Sequence, residues 1–368
     1  MSHPIYVTKP YLPPKEEYEK YLDQIWSSNI LTNMGSLHNQ LEQRLQEILE
    51  VPYAMLFTNG HLALETLLQA LDLHGEVITT PFTFVSTCHA IVRNGLTPVF
   101  CDIRKEDYTI DPEKIEACIT EKTTAIVGVH VYGNPCDIEA INRIAKKYNL
   151  KVIYDAAHAF GEKVSGIGIG NFGDGSIFSF HATKVFHSVE GGAVVIKDLD
   201  MGYKMHQLRN FGITGEEKIS GIGLNAKMSE FHAAMGLCNL NHLQELIQKR
   251  KERVLYYEKL LGQIPEVILS KRREEVEYNY AYMPIVFEDS ESGQIRYRVC
   301  NALNKEKIYP RKYFYPLLSQ CGCYEGKFEI QETPIALQIS DNVLCLPLYP
   351  DLAFEEIEKI CHIIANCI

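Results

Sequence analysis

The sequence predicts an α/β protein with a large domain on a mixed, mainly parallel sheet and a smaller C-terminal α/β domain. Three observations carry this. Short apolar, β-branched runs alternate with helical patterns as far as Asp155; two further strands are then joined by a loop rather than a helix; and a long charged helical stretch leads into a region with strands and helices of its own.

Tyr53 to Phe57 reads as the first buried strand, and Leu62 to Leu71 as a helix buried along one side. Val77-Ile78-Thr79, Val99-Phe100, Ala125 to Val131 and Val152-Ile153-Tyr154 continue the strands. Helices are predicted near 85–93, 112–118 and 137–148, the last two after the turn-like Asp111-Pro112 and Pro135-Cys136-Asp137. This is the βαβ rhythm of a parallel sheet covered on both faces. Ile177 to Phe180 and Ala193 to Ile196 lack a helix between them, so the sheet becomes mixed there. One helical stretch runs from about Met228 to Leu261, its 240–260 part serving as connector. Tyr282 to Val286 then reads as a strand, residues near 292–305 as a helix, and Glu355 to Ala365 as the last helix. The large domain, with its N-terminal arm, is assigned to residues 1–245 and the small domain to 246–368.

At 368 residues and 46% apolar content the chain can build two real cores. A net charge of −11 without a Lys/Arg-rich block argues against nucleic acid as a partner. Eleven cysteines, an odd number without recurring spacing, read as reduced thiols; Cys321-Gly322-Cys323 has no second pair to complete a zinc site. The start MSHPIYVTKP lacks the layout of a signal peptide, and no apolar run approaches the ~18 residues of a membrane span. A soluble cytoplasmic protein, without membrane contact, is expected.

Asp155 and Lys184 each close an apolar run, where strand ends of an open α/β sheet face a ligand crevice. A helix-capping aspartate and a solvated loop lysine are the bland uses of these residues. Together they are the two groups a pyridoxal phosphate enzyme needs: a carboxylate that keeps the ring nitrogen protonated, and an amine that forms the Schiff base and moves the proton. Thr58-Asn59-Gly60-His61, between a strand and a helix, offers backbone amides to an anion, although a glycine there also serves ordinary turn chemistry. Phe84 is placed to stack on a flat ring or to fill the core as an ordinary aromatic. The run Gly166 to Gly173 resembles a dinucleotide loop in spelling only. It follows no strand of a βαβ unit and opens no long helix, so it reads as a connection between strands.

The motifs Asn59-Gly60-His61-Leu62-Ala63-Leu64, Pro81 to Thr87, Asp155-Ala156-Ala157-His158, Ser179 to Lys184, Glu190-Gly191-Gly192-Ala193 and Gly223 to Glu230, in this order, resemble the DegT/DnrJ/EryC1/StrS family of nucleotide-sugar aminotransferases. The resemblance runs from Leu31-Thr32-Asn33 to Leu346-Pro347-Leu348-Tyr349-Pro350. It implies the type I, aspartate-aminotransferase-like fold and a homodimer with shared active sites. It makes Lys184 the Schiff-base lysine, Asp155 the partner of the pyridine nitrogen, His158 a neighbour of the ring or its 3′-oxygen, and Phe84 the face that stacks on the ring. Gly60, His61 and Ser179 would hold the phosphate, with Asn59 also among the cofactor-binding residues, Asn225 would reach the phosphate of the other subunit's cofactor, and Tyr313, Tyr315 and Lys227 would lie on the substrate side. His61 stands where the family commonly has Thr or Ser, Lys227 where Arg is frequent, and Ser188-Val189 where a Gly often precedes Glu190.

The same resemblance implies transfer of an amine from glutamate to a nucleotide-linked ketosugar. The segment around Lys184 is similar to members acting on dTDP-4-keto-6-deoxyglucose, giving dTDP-4-amino-4,6-dideoxyglucose. Amination at the sugar's third carbon and a non-catalytic, regulatory pyridoxal phosphate protein are the alternatives. A related dehydratase branch has His in place of the lysine, and Lys184 argues against it.

Overall fold

A computed structural model describes residues 3–288 and 293–368. Strands β1 (Tyr53–Phe57), β2 (Glu76–Thr79), β3 (Thr97–Phe100), β4 (Thr123–Val129), β5 (Lys151–Asp155), β6 (Gly175–Ser179) and β7 (Gly192–Ile196) form one sheet in the order β1-β7-β6-β5-β4-β2-β3. The run from β6 to β3 is parallel, whereas β7 is antiparallel to both β1 and β6. The mixed sheet expected after Asp155 is therefore present. The connection between β6 and β7, residues 180–191, holds no helix, so the chain returns antiparallel without the helical crossover of a parallel neighbour.

Side-chain alternation packs the sheet on both faces. In β7, Ala193 and Val195 face a cluster with Leu41, Leu45 and Phe178, while Val194 and Ile196 face another with Leu64, Leu67 and Ile153. A strand buried on both faces must be apolar throughout. Each valine so buried contributes about 1.5–3 kcal/mol, so Val194→Asp would break this strand. The first face is covered by helices α1 (Lys15–Ser28) and α2 (Ser36–Leu49), the other by α3 (Gly60–Ala70) and α4 (Val85–Arg93). Helix α5 (Ile138–Tyr148) starts where the Asp137 carboxylate accepts the Ala140 N–H, and ends at Asn149 in the left-handed region. The 112–118 helix is four α residues, Pro112–Ile115, continued by a 3₁₀ turn over Glu116–Cys118.

The single helix expected from Met228 to Leu261 is two, α6 (Glu230–Leu240) and α7 (Leu243–Leu261). At Asn241 and His242 the backbone N–H groups reach back three residues instead of four, to Cys238 and Asn239. The chain turns there although the apolar periodicity continues. His242 Nε2 lies 3.0 Å from Glu17 on α1, which holds the break in place.

A second core gathers Val254, Tyr257 and Leu261 of α7 with Ile285, Phe287, Leu344 and Leu346. These come from a three-stranded antiparallel sheet, β8 (Val267–Leu269), β9 (Met283–Phe287) and β10 (Val343–Leu346), with β9 central. Helices α8 (Gln294–Lys305) and α10 (Phe354–Ala365) complete this core, while α9 (Pro334–Asn342) packs Ala336 and Ile339 against the other face of the sheet, with Val286, Val343, Phe82 and Tyr132. Residue 292, where the helix near 292–305 was expected to begin, lies outside the described residues. Ile5 belongs to this core too, because Ile5–Tyr6 pairs in parallel with Ile308–Tyr309. The glycine-rich run holds a two-residue strand, Ile167–Gly168, and a 3₁₀ turn, Ile169–Asn171, leading into β6.

Candidate active site

The C-terminal ends of β1, β5 and β6 open into one cavity of about 330 Å³. Nine of the residues expected from the sequence line it: Asn59, Gly60, His61, Phe84, Asp155, His158, Ser179, Lys184 and Tyr313.

Asp155 ends β5 and is 7% exposed. Its carboxylate accepts the Thr87 hydroxyl at 2.8 Å and the Ala157 N–H at 3.1 Å. Burial pushes its pKa up, while these two donors and the charge of Lys184 pull it down. Three residues on, His158 accepts the Tyr132 backbone N–H at Nδ1 (3.1 Å), so the neutral ring carries its proton on Nε2. Burial, and then the Lys184 charge, hold its pKa well below the usual value, which keeps the ring neutral.

Lys184 sits in the turn after β6, where its backbone N–H bonds the His181 carbonyl. Burial lowers the ammonium pKa to about 8, against the pull of Asp155 and Tyr313. Near neutrality an amine of this pKa is in part uncharged, the form a nucleophile and base requires.

At the other end of the cavity, Asn59 caps α3 by accepting the Leu62 N–H at 2.8 Å. The Ala63 N–H bonds the Asn59 carbonyl. The amides of Gly60 and His61, first in the helix, have no partner within it and sit at the positive end of its dipole. Two glycines allow this close approach: a Cβ on Gly60 would lie 3.0 Å from the Ser179 Cβ, and one on Gly192 2.6 Å from the backbone of Asn59 and Gly60. His61 Nδ1 is 2.8 Å from the Ser86 hydroxyl. Phe84, at the start of α4, is 58% exposed and lines the cavity, whereas Phe82 two residues earlier is fully buried. The core reading of Phe84 is thereby corrected: the core position belongs to Phe82.

Asn225, Lys227 and Tyr315 lie outside this cavity. The Lys227 ammonium donates to the side-chain oxygens of Asn210 and Asn225, at 2.7 and 2.9 Å. The Tyr315 ring rests on the Arg296 guanidinium, 4.5 Å from its centroid. Sequence reasoning missed Thr87, Tyr282 and Phe314. Thr87 carried a signal, since it lies three residues after Phe84 on the same helix and so on a neighbouring face. Phe314 stands between Tyr313 and Tyr315, which the resemblance marked, whereas Tyr282 comes from the distant C-terminal part and carried no signal.

These residues suit pyridoxal phosphate. The buried, two-donor carboxylate of Asp155 matches a protonated ring nitrogen, the free amides of α3 with Ser179 match a phosphate, Phe84 offers a ring face, and Lys184 supplies the amine. Among the described residues no group of His, Cys, Asp or Glu side chains forms a metal site.

A mixed seven-stranded sheet with a buried aspartate and a lysine at its strand ends is the type I fold of pyridoxal phosphate enzymes. A structure of DesI, solved in the presence of its TDP-sugar product, superposes with a TM-score of 0.94 at 33% identity, covering 100% of this chain and 93% of that one. The chain belongs to the DegT/DnrJ/EryC1/StrS aminotransferase family, which matches residues 14–365. It is 44% identical over 360 residues to dTDP-4-amino-4,6-dideoxy-D-glucose transaminase of Shigella dysenteriae, covering 98% of both chains. It is also 44% identical over 359 residues to the enzyme of that name from Escherichia coli, covering 96% of both.

Proposed function

We propose that this aminotransferase moves the amine of glutamate to C4 of dTDP-4-keto-6-deoxyglucose, giving dTDP-4-amino-4,6-dideoxyglucose. The observation that carries the reading is the full-length 44% identity to two transaminases named for that product, joined to a cavity in which a lysine amine of lowered pKa faces a buried carboxylate.

Bound here, pyridoxal phosphate would supply the electron sink that stabilises negative charge on the carbon losing its proton. Asp155 would hold the ring nitrogen's proton by ion pairing in a site of low dielectric. Gly60, His61 and Ser179, with Asn59 shaping the turn, would anchor the phosphate, and Phe84 would cover one ring face. Lys184 Nζ would take the proton from the α-carbon of glutamate, hand it on within the cavity, and run the reverse sequence with the ketosugar. His158, neutral with its proton on Nε2, would donate a hydrogen bond at the ring's edge. Tyr313 would meet the sugar where it lines the cavity.

We further propose a homodimer. Trp26, Ile219 and Ile222 are exposed, Ile222 by 89%, and large apolar side chains left on a surface suit an interface. Asn225 and Lys227, off the cavity in their own chain, would complete the partner's site, and Tyr315 would lie near the nucleotide. A reducing cytoplasm fits the eleven unpaired cysteines, and among the described residues no helix is long and apolar enough to cross a membrane.

The test is one assay: glutamate with a panel of dTDP-, UDP- and GDP-linked 3- and 4-ketosugars, the product identified by NMR. Turnover of dTDP-4-keto-6-deoxyglucose with nitrogen on C4 is expected. Preference for a 3-ketosugar would overturn the reading, and so would absence of any transfer with retained cofactor binding.

A further inference from the structure

Lys184 Nζ lies 3.4 Å from the hydroxyl oxygen of Tyr282 and 5.9 Å from the centroid of its ring. Among the described residues this is the side-chain hydrogen bond its amine makes. Tyr282 comes from the segment entering β9, in the C-terminal part, and so reaches Lys184 from outside the sheet that carries it.

The phenol is held from several sides. Its ring packs against His158 at 4.7 Å, Tyr132 at 5.9 Å and Tyr313 at 6.0 Å between centroids. Its backbone is stapled to the loop that carries His158. Asn279 donates its carboxamide to the carbonyls of His158 and Phe160 at 2.9 and 3.0 Å, and its N–H to Glu162 at 3.1 Å. Arg250 donates to the Ala281 carbonyl. A ring gripped in this way has little freedom to turn its hydroxyl elsewhere.

We infer that Tyr282 is a positioning residue for Lys184: its hydroxyl holds the amine against the cavity wall whenever that amine is not bonded to cofactor. A hydroxyl can accept from an ammonium and donate to a neutral amine, so the contact holds Nζ in both protonation states, and because the charge-assisted bond is the stronger one it favours the ammonium. A lysine stem is otherwise the most mobile part of such a site. Burial raises the pKa of the phenol, which therefore stays protonated through the range in which Lys184 titrates. The other titratable groups facing this amine are Asp155, His158 and Tyr313, with His61, His181 and Glu190 also lining the cavity.

The inference rests on the transaminase reading for its purpose but not for its geometry, and the experiment separates the two. Tyr282→Phe keeps the ring contacts and removes the oxygen. In the protein free of cofactor, the pH dependence of Lys184 acetylation by acetic anhydride is followed by peptide mass spectrometry. Loss of an acceptor for the ammonium moves the midpoint down by about one pH unit. In the loaded enzyme, kcat for glutamate falls about tenfold with KM within about twofold of wild type. The isotope effect with α-deuterated glutamate rises, since proton transfer then limits the rate. A wild-type midpoint in the Tyr282→Phe variant overturns the inference whether or not the enzyme turns over. A shifted midpoint in a protein that never deaminates glutamate supports the contact and removes the transaminase reading instead.

Discussion

Thr87 donates its hydroxyl to Asp155 at 2.8 Å, tying the helix that begins beside Phe84 to the carboxylate at the end of β5. Thr87→Val keeps the shape and deletes the donor. Asp155 already has its pKa raised by burial, and Thr87 is first among the influences that lower it. The variant raises it further, so the anion that would pair with a protonated ring nitrogen is less populated. A hydrogen bond to a charged group is worth about 1.5 kcal/mol or more, roughly tenfold in Kd for pyridoxal phosphate. The loss grows as pH falls, because protonation now removes the anion at a higher pH. Equilibrium dialysis at two pH values measures both effects.

Lys184→Met abolishes transamination, and the same change should stabilise the cofactor-free protein. The folded pKa of Lys184 is about 8 against 10.5 unfolded, so folding penalises the charged lysine. Below pH 8 both states are protonated and the penalty is complete. Between about 8 and 10.5 the unfolded state binds more protons, so wild-type stability rises with pH. Allowing for its partial exposure, the penalty is about 1–3 kcal/mol. Urea unfolding should show the Lys184→Met variant more stable by that amount at pH 7, with most of the gap closed near pH 10.

The sequence disclosed what local chemistry writes into local patterns. The strands from Tyr53 to Ile196 are apolar on both faces because the sheet buries both, and Asp155 and Lys184 stood out because strand ends aim side chains at the crevice. The break at Asn241 did not show, since α6 and α7 keep one apolar periodicity across it while the bend is made by backbone bonds and His242. Strand β10 is buried at every position, and its run of four residues has no alternation to mark it. Tyr282 was invisible as a site residue for another reason: it reaches the cavity through tertiary packing from the C-terminal part, and nothing beside it in the chain records that.

Gly192→Ala tests how tightly the α3 end of the cavity is built. The added Cβ would meet the carbonyl carbon of Asn59 and the nitrogen of Gly60 at 2.6 Å, and both are backbone atoms that cannot swing aside. Either β7 or the first turn of α3 must move. Overpacking of this kind costs about 1–3 kcal/mol. Because the displaced amide is Gly60's, pyridoxal phosphate affinity should fall further than stability does. Inorganic phosphate, as a competitor of cofactor binding, should weaken in parallel; an unchanged phosphate affinity would separate this turn from anion binding.

Asp102 shows how the C-terminal part is fixed to the sheet that carries the lysine. It follows β3, is 4% exposed, and accepts the N–H groups of Ile335 and Ala336 at 3.2 and 2.8 Å, together with the Lys114 ammonium at 3.0 Å. These two amides open α9, whose preceding residue Thr333 makes no side-chain cap. Asp102 thus caps a helix more than 200 residues away, where a negative charge is also favoured by the helix dipole. Farther along α9, Ser340 donates to the carbonyl of Phe314, whose ring lies parallel to His158 at 6.0 Å. Asp102→Ala should therefore cost about 2 kcal/mol, the upper range for a lost cap, and loosen the Phe314 wall. Asp102→Asn should lose less, because a carboxamide oxygen still accepts while the charge attraction is gone. Lys114, 40% exposed, can turn to water in either variant. The order wild type, Asn, Ala in urea midpoint, with KM for the sugar rising in the same order, is the expected result. Equal loss in both variants would assign the effect to the Lys114 ion pair and not to the cap.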